Sequence, residues 1–159
     1  MADISVDRVR DIADIRKLVE AHVMTEALRR DEGEVRRLAR SALDDMTKAA
    51  RYDVMSMSVT AHMDFHRAFY AQCGNEVLAG MWDSWAGQLQ LFFPKDHSVF
   101  SDLHAVMMEH EHLLGVALHG TIDELTHEVG RHVHGAVDPS FWKRNPPEGG
   151  HLISEGGAR

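Results

Sequence analysis

The sequence predicts an all-α fold, an antiparallel bundle of about six helices. Three observations predict it. Apolar residues recur at intervals of three and four along most of the chain, the period of a helix with one buried face. No segment shows the strict alternation of a half-buried strand. Caps and stops leave only short connections, so successive helices should pack antiparallel.

The first helix is expected over about Ile4 to Arg30, with Ile12, Ile15, Val19 and Val23 on one face. Asp31, with Glu34 three residues on, makes a capping-box-like start for a second helix. Its stripe is Val35, Leu38, Ala42 and Met46, and it fades near Arg51. A third helix runs from near Asp53 to Cys73, where Gly74 stops it. Asn75 caps a fourth, with the stripe Leu78, Trp82, Trp85, Leu89 and Phe92 and an end at Pro94. The fifth is expected over about His97 to His119, closed by Gly120. Thr121 and Glu124 form a capping box for a sixth, which reaches about His134. The folded domain is therefore placed at 1–136. Residues 137–159, rich in Pro and Gly, are expected to be a flexible tail.

Composition narrows the function. The 159 residues carry 17 Lys and Arg against 25 Asp and Glu, a net charge of −8 that disfavours a phosphate-backbone binder. A single cysteine, Cys73, excludes an internal disulfide and any Cys-rich zinc site. No apolar run approaches the roughly 18 residues of a membrane span, and Met1–Arg10 mixes acids and bases unlike a secretory leader. A cytoplasmic protein is expected. The anomaly is histidine: there are 12, and nine lie from His97 onward.

Helical phase sorts them. On the third helix Ser58, His62, Phe65, His66 and Phe69 share a face, which makes His62 and His66 an inward i, i+4 pair. On the fifth, His110 lies within the stripe Leu103, Val106, Met107, Leu113, Leu114 and Ala117. On the sixth, His132 joins Ile122, Leu125, Val129 and Ala136. His104, His112, His119, His127 and His134 fall off these stripes or at their edges. A buried imidazole needs a partner at each polar nitrogen, and a missing partner costs about 1–3 kcal/mol. A transition-metal ion satisfies one nitrogen of each of the four together. Arg16 borders the stripe of the first helix and is either a surface arginine with its stem on that stripe or an inward anion clamp. Asp64 projects from another face than its histidine neighbours, and Trp82, Trp85 and Cys73 read as core residues.

The segment Phe65-His66-Arg67-Ala68-Phe69, followed by Cys73-Gly74-Asn75, resembles the "FHRAL…SGN" signature of the FCD domain. That is the all-helical C-terminal effector-binding domain of FadR-type GntR transcription regulators. Asp14-Ile15-Arg16 with Glu20 resembles the acidic-x-Arg motif of its opening helix. Glu109-His110, then Leu113-Leu114 and Gly120, resembles its fifth-helix pattern, and His132 follows His110 by the family's spacing of 22. The match covers about residues 7 to 136.

The resemblance implies a metal held by an Asp and three His, of which His66, His110 and His132 match by position. His62 stands where the family has the Asp. Four neutral imidazoles leave a divalent ion its full charge, which favours an anionic ligand, and they favour Zn, or Ni or Cu, over Mn-like ions. His112 and His134 are also 22 apart and would take over from His110 and His132 in a register shifted by two. The family's winged helix-turn-helix is not recognised before the first helix, so this chain is expected to make no direct contact with nucleic acid. Two metal-dependent functions follow, beside a third reading, a metal-free bundle that only mediates association, which needs all four inward histidines to be coincidental. One is an FCD-like domain, a homodimer by resemblance, binding a divalent metal and, on it with help from Arg16, a small carboxylate. The other is a metalloenzyme of lyase, dehydratase or cyclase type on a small carboxylate. Its catalytic residues are unknown, with His112, His134, Glu109 and Glu111 as candidate bases.

Overall fold

Ser5 accepts a hydrogen bond from the Arg8 amide at 3.2 Å and starts α1, which runs Val6–Tyr52. The structure is a computed structural model that describes residues 5–93 and 102–138. Within α1 the backbone leaves helical angles only at Asp31 (φ −155°, ψ 79°). There Asp31 Oδ1 accepts from the Glu34 amide at 3.0 Å, so the expected cap forms. No loop intervenes, however, and the two helices expected over 4–51 are one kinked helix. The described residues hold five helices rather than six. Asp53 ends α1 in the left-handed region (φ 52°), its amide bonded to the Ala49 and Ala50 carbonyls.

The helix α2 spans Met55–Gln72 and stops before Gly74, whose φ of 73° suits glycine. The Arg30 guanidinium lies where a side chain at 74 would project. Asn75 Oδ1 accepts from the Val77 and Leu78 amides at 3.0 and 3.2 Å and caps α3, Glu76–Phe92. Asp102 caps α4, Leu103–His119. The expected start at His97 and the stop at Pro94 lie outside the described residues. Thr121 and Glu124 complete the predicted capping box of α5, Ile122–Gly135. Of the expected tail, residues 139–159 lie outside the described residues.

The long α1 is the spine, packing against α2, α4 and α5 and touching α3. Its buried alanines, among them Ala13, Ala21, Ala27, Ala39, Ala42 and Ala49, present little bulk and let neighbouring backbones approach. Larger side chains fill the gaps: Phe65, Phe69, Tyr70, Trp82 and Phe93 are all buried. Each such aromatic contributes about 2–3 kcal/mol by leaving water. Two stripe residues were misplaced. Ile15 and Ile122 are exposed, at 40% and 54%, because the inward face of α1 is rotated onto Arg16 and Glu20 and because Ile122 sits at the first turn of α5.

Candidate metal centre

The four histidines selected by phase meet in the core. His62 and His66 come from α2, His110 from α4 and His132 from α5, and none is more than 4% exposed. One ligating atom from each lies within 4.8 Å of all the others. The ring centroids of His62 and His110 are 4.5 Å apart and those of His110 and His132 are 4.6 Å apart. Among the described residues this is the one set of His, Cys, Asp or Glu side chains that converges in this way. His112 is partly exposed and lies 3.5 Å from Glu128, and His134 is partly exposed and lies 3.6 Å from Asp138. The shifted register is thereby excluded.

Hydrogen bonds set two of the imidazoles. His66 Nδ1 is 2.6 Å from Glu20 Oε1. Burial works against the Glu20 carboxylate, but Arg16 and His66 hold it well below the usual range. It therefore accepts, His66 Nδ1 donates, and His66 Nε2 keeps its lone pair. His110 Nδ1 is 2.7 Å from the Val106 carbonyl, which can only accept, so His110 Nε2 also keeps a lone pair. His132 Nε2 is 3.3 Å from His66 Nε2. His110 Nε2 and His132 Nδ1 are buried with no hydrogen-bond partner among the described residues.

Protonation does not relieve this arrangement. Burial pushes His110 down to about 3, with His66 adding to the effect. Burial and then neighbouring imidazoles press His62 and His132 well below their ordinary value. His66 is lowered by burial, against the pull of Glu20. Four imidazoles that burial holds neutral, each with a ring nitrogen within 4.8 Å of the others, suit a metal ion that prefers nitrogen. Bound there, such an ion would supply Lewis acidity and open positions for an anionic ligand.

Arg16 belongs to this centre. At 2% exposure it is buried, and its guanidinium grips Glu20 through Nε at 2.7 Å and Nη2 at 3.1 Å. Nη2 also lies 3.3 Å from both ring nitrogens of His66. Tyr70 donates to Glu20 Oε2 at 3.4 Å and stacks on Trp82, over whose ring the Arg16 guanidinium sits. Trp82 is buried in the core, as expected, but Glu20 was missed as a neighbour of the cluster. Glu20 falls at i+4 from Arg16 and i+8 from Ile12, so its phase was visible, but a stripe traced through apolar residues passes over a buried ion pair.

The candidate bases lie elsewhere. Glu109 meets Arg131 at 3.0 Å, and burial, opposed by Arg131, raises it to about 7. Glu111 accepts from Arg40 on the surface. Asp64 is half exposed, in line with its reading as a surface acid.

Five helices with four histidines buried together between three of them make an all-α bundle with a histidine-lined core. The chain belongs to the FCD domain family, which matches residues 11–135. This is the GntR-type effector-binding domain, and FCD domains bind small-molecule effectors. Comparison with curated proteins and with solved structures gave no match. No helix among the described residues is long and apolar enough to cross a membrane.

Proposed function

We propose that His62, His66, His110 and His132 hold a divalent transition metal, zinc first and nickel next, and that the metal together with Arg16 binds a small carboxylate effector. The observation that carries this reading is the convergence of four buried imidazoles, two of which, His110 and His132, each keep a ring nitrogen with no hydrogen-bond partner among the described residues. Without an ion, each such nitrogen costs about 1–3 kcal/mol. A six-coordinate ion with four protein nitrogens keeps two positions for an outside ligand. The family's effector-binding character supports the second half of the proposal.

Sensing is favoured over catalysis by where the four candidate bases lie. Glu109, Glu111, His112 and His134 sit beside Arg131, Arg40, Glu128 and Asp138, and none belongs to the cluster. Calorimetric titration of a panel of small carboxylates into zinc-loaded and chelator-stripped protein tests the proposal. Binding to the loaded form alone, with the acid recovered unchanged, is expected. Equal binding to stripped protein, or consumption of the acid, would overturn it.

A further inference from the structure

The charges around the cluster specify the ligand more closely. We infer that the site selects a small dicarboxylate dianion over monocarboxylates of the same shape. This rests on the metal reading above.

Arg16 and Glu20 are 2% and 1% exposed and form a two-point ion pair at 2.7 and 3.1 Å, so together they add no net charge. Arg16 alone would have brought a positive charge to be met by the ligand, but Glu20 already meets it. The four ligating side chains are all imidazoles, with no carboxylate among them. Among the described residues, the charged side chains in contact with the cluster are Arg16, 3.3 Å from the His66 ring nitrogens, and Glu20, 2.6 Å from His66 Nδ1. A divalent ion would therefore bring two positive charges that no ligating side chain among the described residues offsets. Burying uncompensated charge is costly, and the offset must come from the outside ligand. A dianion supplies it in one binding event. A monocarboxylate leaves one positive charge to be met by a second anion from solution.

The test compares acids matched in length and shape that differ by one charge: malonate with malonamate, succinate with succinamate, and glutarate with glutaramate. Each is titrated into the zinc-loaded full chain. For the pair that fits, the dianion should bind about tenfold tighter or more, which corresponds to ~1.4 kcal/mol. His62→Asp places one negative charge among the ligands and should reduce that ratio about tenfold. Glu20→Gln removes one and should raise it. Zinc content, measured for each variant, shows that loaded sites are being compared. Equal binding of the paired acids, or a ratio that neither variant moves, overturns this inference and leaves the metal reading standing. Binding of no acid to zinc-loaded protein overturns the effector reading and this inference with it.

Discussion

Acidifying the metal-free chain should destabilise it by an amount that two opposing sets of buried groups decide. His62, His110 and His132 have folded pKa values far below the ~6.5 of an unfolded histidine. The unfolded chain then takes up protons that the folded chain refuses. Their contribution is fully present above the unfolded pKa and is lost as pH falls below it. Between about pH 7.5 and pH 5.5 each loses ~1.4 kcal/mol, so the three together lose ~4 kcal/mol. His66 acts in the same direction.

Glu109 opposes them. Its folded pKa is raised to about 7, so the folded chain takes up a proton over the same interval and regains ~2 kcal/mol. The net loss is then at least about 2 kcal/mol, and Glu109→Gln should raise it to ~4 kcal/mol, a large share of an ordinary domain's 5–15 kcal/mol. Urea denaturation in the presence of chelator, followed by tryptophan fluorescence at the two pH values, reads this directly. A Glu109→Gln chain as stable at the lower pH as at the higher would instead mean that the imidazoles protonate without unfolding, and this prediction would fail.

Other residues make separate predictions. Glu20→Gln weakens the carboxylate that orients His66, and zinc affinity measured by chelator competition should fall 10- to 100-fold. Gly74→Ala forces a side chain into the left-handed region and against the Arg30 guanidinium, costing about 1–2 kcal/mol in urea denaturation with no change in zinc stoichiometry. Thr121→Ala removes one half of the α5 capping box and should cost about 1 kcal/mol by the same measurement.

The inward histidines were legible because α2 keeps an uninterrupted helical period from Ser58 to Phe69, and every residue of that stripe is buried. His110 and His132 could be placed because Leu113, Leu114 and Val129 fix the phase of α4 and α5. The capping signals at Asp31, Asn75 and Thr121 also held, since each is a local contest between a side chain and a nearby amide. Periodicity failed on α1, where Ile15 was read as inward and Arg16 as a border residue. Hydrophobic patterning has no term for a charge buried against its partner, and Arg16–Glu20 occupies the core as a pair. The helix count failed for a related reason. Asp31 gives a start signal, but whether a start signal follows a loop or a kink depends on how α1 packs against α2, α4 and α5. Local sequence does not encode that packing.

Everything proposed for this chain rests on the histidine cluster holding a metal ion. Metal analysis of the full chain, purified without an affinity tag and dialysed after incubation with zinc, tests it most directly. About one zinc per chain is expected, lost when His66 is changed to Ala. Retention of zinc by less than about a tenth of the chains, or by the wild type and His66→Ala alike, would contradict it.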